Sequence, residues 1–337
     1  MNLQPFPMAS ILRAGLMLTL LLAALLAAAL FVVTAPFVIT VSSSPEVVDP
    51  ARLRAHVQHL SVELHPRDAD NFENLDRAAE YIHSEFRSVA PTGRMEVQEV
   101  ASGGRAYKNI IVHFGPSAGE VVVVGAHYDS HAGTPGADDN ASGVAGLIEL
   151  AGLLSRYAPS GPVDLVAYAL EEPPHFQSDS MGSVQHARSL RKAGREVRLM
   201  LALEMIGFFS DEAGSQRYPH PWLAWLYPDR GNFIAVVGRP NDLLATRRVK
   251  GLMAGATDLS IQSINAPRSL AGVDWSDHGS FWDEGYDALM ITDTAFLRNQ
   301  NYHLAGDTFD RLDYRRMAEV VRAVYAAVKG VLIDNEL

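Results

Sequence analysis

Charge is absent from Ala14 to Pro45, and Leu16 to Val41 is almost wholly Leu, Ala, Val and Phe. Roughly twenty apolar residues in a helix cross a bilayer, so the pattern predicts one N-terminal transmembrane helix. A secretory signal has a shorter apolar core ending at a small-residue cleavage site. Here the run is longer, and Ala35-Pro36 interrupts it late without an A-x-A sequence. The expectation is an uncleaved signal-anchor over 14–41, with a removed signal peptide as the alternative. Arg13 precedes the run and Glu46 and Asp49 follow it, which leaves residues 1–13 cytoplasmic and the rest outside, periplasmic or extracellular, or secreted after cleavage.

Past a Ser/Pro linker at 42–49 the pattern becomes mixed. Leu53, Val57, Leu60 and Leu64 fall on one helical stripe, and Leu75, Ala78, Ala79, Ile82 and Phe86 on another that Asn71 can cap. Strand-like runs follow at Met95–Val100, Tyr107–Phe114 and Glu120–Ala126, then a helix over Ser142–Tyr157. A strand at Val163–Leu170, a helix at Met181–Lys192, and strands at Val197–Met205 and Asn232–Val237 come next. A helix at Asp242–Ala254, a strand at Ala288–Thr292 and an amphipathic helix at Tyr314–Ile333 complete the pattern. Strands alternating with helices predict an α/β three-layer sandwich with a mostly parallel central sheet, as one domain over 50–337.

Composition narrows the function. The balance of 28 basic against 39 acidic residues, a net charge of −11, argues against a nucleic-acid partner, which requires a basic face. It also has no Cys, so any metal site must be built from nitrogen and oxygen ligands.

Such ligands stand at the ends of the apolar runs. His127 ends EVVVVGAH, and the Gly-rich loop after it delivers Asp138 and Asp139 just before a small-residue helix start. Glu171-Glu172 close VDLVAYALEE, Glu204 closes RLMLALEM, and His303 lies beyond ALMITDT. Reactants gather outside the carboxyl ends of strands in open α/β sheets, so these residues aim at one crevice. Two His and three carboxylates suffice for a two-metal site with one shared bridge. Two cations about 3.5–4 Å apart acidify a water between them, and a carboxylate off the metals is then needed to carry the proton. The Glu171-Glu172 pair offers one ligand and one free base.

HYDSHAGTPGADDNASG, the Glu-Glu pair, LEMIG and YHLAGDT resemble metallopeptidase family 28, the co-catalytic di-zinc aminopeptidases related to glutamate carboxypeptidases and glutaminyl cyclases. The resemblance covers about residues 50–330. It implies a zinc-exopeptidase fold, two Zn2+ per chain and peptide substrates. His127 and Glu204 would hold one zinc, Glu172 and His303 the other, with Asp139 as bridge and Glu171 as general base. The family often has Asp where Glu204 stands, and it tends to a cis peptide after the bridging Asp, here Asp139-Asn140. Asp129 is expected to accept the other ring N–H of His127, and Asp307 that of His303 unless it is a turn residue. His278 in WSDHGSFW is expected either to hydrogen-bond a tetrahedral intermediate or to be structural. The aromatic segment Phe208–Phe233 is expected to form a lid, a side-chain pocket or plain packing, and His131 and His175 stand near the motifs, with contact to substrate as the lesser expectation for each.

The leading expectation is a membrane-anchored aminopeptidase. A glutaminyl-cyclase-like acyltransferase, whose relatives use one zinc, and a non-catalytic module are the alternatives. Arg268 or Arg298 would serve a carboxypeptidase variant.

Overall fold

A computed structural model describes residues 8–41 and 46–333 of the chain. The expected assignments of 1–7, of 42–45 in the linker and of 334–337 lie outside the described residues. The apolar run forms helix α1 (Met8–Thr34). Asp49 accepts the Ala51 backbone N–H and Pro50 occupies the first turn, starting α2 (Pro50–Gln58) where N-cap chemistry predicts it. A π-turn over His59–Glu63 and helix α3 (Phe72–Val89) follow.

Strands β1 (Arg94–Ser102) and β2 (Arg105–Phe114) form a hairpin closed by Gly103-Gly104. Both glycines have positive φ, the geometry a two-residue hairpin turn demands. The strands β3 (Val121–His127), β4 (Val163–Tyr168), β5 (Val197–Glu204) and β8 (Ala288–Thr292) make the parallel centre of the sheet. With β6 (Phe233–Gly238) and β7 (Ser260–Asn265) the sheet has eight strands in the order β1-β2-β4-β3-β5-β8-β6-β7. Every residue of β3 and β4 is buried, as befits strands covered on both faces.

The parallel expectation therefore holds for the centre, while the whole sheet is mixed: β2 is antiparallel to β4 and β6 is antiparallel to β8. The reversal of β6 has a local cause. Between β5 and β6 the chain forms only a short 3₁₀ turn at Pro221–Trp225. Without a crossover helix it re-enters the sheet from the end it left.

Helices α2, α3, α4 (Gly143–Arg156), α6 (Leu243–Ala254) and α8 (Tyr314–Ile333) pack on one face, and α5 (Gly182–Lys192) and α7 (His278–Asp283) on the other. Each face has its own apolar core, the larger beneath α4 and α8, the smaller around Tyr168, Phe281 and Trp282. The sequence pattern did not predict β7 or α7. SIQSIN is a six-residue edge strand whose first residue is exposed, and α7 is also only six residues long. The inward positions of β7 are Ile261, Ser263 and Asn265, so polar residues mask its alternation, and α7 is too short to show a helical period.

Candidate metal centre

Each predicted residue lies where its run ends. His127 is the last residue of β3 and Glu204 the last of β5. Glu171 and Glu172 follow β4, turned by Leu170 at positive φ. Asp139 sits in a π-turn, Ala137–Ser142, leading into α4. His303 lies in the loop beyond β8. The Asp139-Asn140 peptide is cis, as expected.

These side chains form two groups that share one carboxylate. His127 Nε2 is 3.4 Å from Asp139 Oδ1 and 3.4 Å from Glu204 Oε2. His303 Nε2 is 3.2 Å from Asp139 Oδ2 and 3.4 Å from Glu172 Oε2. Within each group the donor atoms lie within 4.8 Å of one another. Glu171 belongs to neither group, and its Oε2 is 3.9 Å from His127 Nε2. His127 Nε2 and Glu172 Oε1 are buried without a hydrogen-bond partner. A polar atom left so is costly unless something satisfies it, and a divalent cation between these donors does. The nitrogen and carboxylate set suits zinc.

Without cations the centre is over-supplied with negative charge. Burial drives the Glu171 carboxyl well above its usual range, and the charges of Glu204 and Glu172 add to the effect. Burial and Asp139 push Glu172 up to about 8. Burial opposes a charged His303, but its contacts with Asp139 and Glu172 outweigh this and raise it to about 10. His127 moves the same way for the same reason, against burial, through Glu204 and Glu171. Protons thus take the positions that cations are suited to fill.

The surrounding hydrogen bonds differ in part from expectation. His127 Nδ1 lies 3.2 Å from the backbone carbonyl of Asp129 and 3.4 Å from its carboxylate. That carboxylate accepts the Glu171 and Glu172 backbone N–H at 3.1 and 2.9 Å, and so also fixes the Glu pair. Asp307 does not take the expected part beside His303. It accepts the backbone N–H of Asp138 and Asp139 at 3.1 Å each and holds the turn that presents Asp139. His303 is instead sandwiched between the rings of His131 and Tyr302, with centroids 4.0 and 3.7 Å away.

His278 belongs to neither donor group. It is fully buried, Nε2 is 2.8 Å from the Val273 carbonyl, and its ring stands edge-on to Trp282. Burial lowers it to about 4. Its neighbours matter more: Ser276 Oγ donates to Glu204 Oε2 at 2.7 Å.

Sequence reasoning also missed Arg67. This wholly buried guanidinium donates to the carbonyls of Tyr128, Leu60, Pro135 and Gly136, and so pins the loop between His127 and Asp139. Gly136 permits the close approach, since a Cβ there would lie 2.3 Å from the Asp139 carbonyl oxygen. An Arg between two helices gives no sequence signal of burial. Asn140 had a signal, its place in ADDN. Its side chain donates to the Leu203 carbonyl and accepts from Gly143 and Met205, joining the Asp139 turn to the end of β5.

The aromatic segment divides between its expected roles. Tyr218, Tyr227 and Phe233, with Trp275, Met290 and Phe296, line an apolar cavity of about 100 Å³ that Glu204 also borders. Phe208 and Phe209 pack on the core, and Trp225 is exposed. Arg268 is engaged by Asp274 and Asp283, and Arg298 by Gln216 and the Phe208 carbonyl. Arg298 Nη2 is left buried without a hydrogen-bond partner.

Comparison with known proteins agrees with this geometry. The model of peptidase family M28 matches residues 109–328. The uncharacterized protein YfbL of Escherichia coli K12 is 51% identical over 86% of this chain and 90% of its own. A probable zinc metalloprotease of Pyricularia oryzae is 29% identical over 83% of this chain and 64% of its own. Among solved structures, the LapA aminopeptidase of Legionella pneumophila superposes with a TM-score of 0.68 at 20% identity, over 86% of this chain and 71% of that one. A glutaminyl cyclase of Bacteroides thetaiotaomicron does so with a TM-score of 0.63 at 17% identity, over 87% and 100%. At these identities the two structures share the fold.

Proposed function

The chain belongs to peptidase family M28, and from this premise we propose that it is a membrane-anchored, zinc-dependent aminopeptidase acting on peptides outside the cytoplasm. The observation that carries the reading is the paired donor set: two groups joined by Asp139, with Glu171 left outside both. His127, Asp139 and Glu204 would hold one zinc, and Asp139, Glu172 and His303 the other. When bound, the ions supply Lewis acidity to a scissile carbonyl and to a water.

The remaining work falls to side chains. Glu171, beside His127 and out of contact with bulk water, takes the proton of the attacking water on its carboxylate and returns it to the leaving amine. Asp129 keeps Glu171 and Glu172 in register through their backbone N–H. The cavity lined by Tyr218, Tyr227 and Phe233 receives an apolar first side chain, with Glu204 at its border. Pro173-Pro174, following the Glu pair, stiffen the loop beside the base.

The glutaminyl-cyclase-like alternative shares the fold, but its single zinc leaves one of the two donor groups without a purpose. The test is Glu171→Gln, read by two assays. Elemental analysis of chelator-free protein is expected to find two zinc per chain in wild type and variant alike. Turnover of aminoacyl anilides should fall by a factor of about 10²–10⁴ in the variant. Activity near wild type would sink the assignment of Glu171, and a single zinc would favour the cyclase-like reading.

A further inference from the structure

The carbonyls of a helix's last turn have no partners within the helix, and at a bilayer border they must find donors elsewhere. At the end of α1 the catalytic domain supplies them. Asn265 Nδ2 donates to the Val32 carbonyl, and Ser263 Oγ to that of Thr34, each at 2.9 Å. Lys250 Nζ reaches the Thr34 and Ala35 carbonyls, and Arg247 those of Pro36 and Phe37. The Arg247 guanidinium also lies 4.8 Å from the Phe31 ring centroid. Two cations at the C-terminus of a helix oppose its negative dipole end.

The chain then runs along α6, where two glycines four residues apart admit it. A Cβ on Gly251 would lie 2.3 Å from the Ile39 carbonyl oxygen, and one on Gly255 2.1 Å from that of Val41. Residues 32–41 are therefore built into the domain, and no free tether joins it to α1 in this stretch.

The order of these contacts gives a direction. Glu204 pairs with Thr292, and Thr292 with Ala235 on the antiparallel β6. The first residues of β6 and β7 thus lie at the metal-centre end of the sheet, while Gly238 and Asn265 lie at the other. Helix α6 starts after Gly238 and returns to the start of β7. Val32 meets Asn265 and Thr34 meets Ser263; then Pro36 meets Arg247, Ile39 meets Gly251 and Val41 meets Gly255. Each step moves from the far end toward the metal centre, so the part of α1 before Val32 extends beyond the far end. That part has none of its apolar window buried, and from Leu12 to Phe31 it spans about 30 Å at 1.5 Å per residue, the thickness of a hydrocarbon layer.

We infer that α1 is clamped to the catalytic domain through Arg247, Lys250, Ser263 and Asn265, so that the bilayer meets the sheet end opposite the metal centre. The inference rests on the membrane-anchored reading. The centre then faces away from the lipid and takes water-soluble peptide ends, not chain ends held at the membrane surface. Leu244, at the start of α6 and 67% exposed, lies at the far end, where it meets the headgroup layer.

The absence of Cys allows clean single-site labelling. Full-length Leu244→Cys and Glu212→Cys, the latter in the loop after β5, would be labelled with a fluorophore and reconstituted into phosphatidylethanolamine–phosphatidylglycerol vesicles carrying a headgroup-linked quencher. The label at position 244 should be quenched several-fold more than that at 212; equal or reversed quenching overturns the inference. In a Gly255→Leu background the difference should collapse while peptide turnover persists, with Lys250→Met as a second background if the first misfolds. A difference that survives both changes overturns the clamp. Peptides tethered to the vesicles by a short C-terminal lipid linker should be cut several-fold more slowly than free ones, and equal rates overturn the orientation. Mass analysis separates the two readings: loss of residues 1–41 by cleavage overturns the anchor and the clamp together, whereas a retained helix with equal quenching overturns the clamp alone.

Discussion

Arg67 is the side chain whose loss the structure prices most definitely. Its guanidinium is fully buried and donates to four carbonyls at 2.6–2.9 Å. Burial lowers its pKa to about 10, with Asp129 and Asp307 working to hold it up, so it stays charged at neutral pH. Hydrogen bonds from a charged donor are worth about 1.5–3 kcal/mol each, but bonds within one network do not add. Arg67→Met preserves most of the volume, leaves buried carbonyls without donors and removes a buried positive charge that Asp129, Asp307 and Asp139 feel. Breaking one side of such a network costs about 3–5 kcal/mol, against a total stability of about 5–15 kcal/mol.

At about 2 °C per kcal/mol for a domain of this size, the melting temperature should fall by about 6–10 °C. Arg67→Lys keeps the charge and loses the planar fork, and should recover less than half of that loss. Differential scanning calorimetry of zinc-loaded and chelator-treated protein measures both variants. Zinc affinity, by competition with a chromogenic chelator, should weaken in both because the loop between His127 and Asp139 is no longer pinned. A loss below about 1 kcal/mol in Arg67→Met, or unchanged zinc affinity, would refute the idea that Arg67 positions this loop.

Other consequences follow from the same geometry. In metal-free protein Glu172 is raised to about 8, Asp277 and Asp307 to about 7, and His303 to about 10. A group whose folded pKa is raised stabilises the fold below its unfolded value and loses that contribution as pH rises through the folded one. Chelated protein should therefore melt lower at pH 9 than at pH 6, and added zinc should narrow the gap; a metal-free melting temperature that rises over this interval contradicts the charge balance described. Zinc binding displaces these protons, so the apparent affinity should climb between pH 6 and pH 8, and isothermal titration in two buffers of different ionisation enthalpy will count the protons released. Ser276→Ala removes the 2.7 Å hydrogen bond to Glu204 and should weaken zinc binding about 10-fold or more without altering the melting temperature of the chelated protein. An unchanged zinc affinity would make Ser276 a bystander.

Much of this centre was legible in the sequence because its parts obey local rules. His127 and Glu204 end apolar strands, Glu171-Glu172 close another apolar run, and Asp139 precedes a helix. In an α/β sheet, such positions fall on one edge whatever the rest of the chain does. The helices over Leu75–Phe86 and Tyr314–Ile333 were legible for a similar reason, since an apolar stripe of period 3.6 marks the face that will be buried. The length of the apolar run before Pro36 likewise marks a helix able to span a bilayer.

What stayed hidden depends on long-range approach. Arg67 reads as an ordinary loop cation until the carbonyls of Leu60, Tyr128, Pro135 and Gly136 close around it. Asp307 and His278 stand in suggestive motifs, yet backbone N–H groups of the Asp138-Asp139 turn claim the first, and a carbonyl and an indole claim the second. The reversal of β6 decides which end of β7 meets the end of α1. Residue type and spacing determined which atoms were available for chemistry. Which of them met depended on the packing of segments far apart in the chain, because hydrogen-bond partners are set by proximity in space, and sequence pattern reports only proximity along the chain.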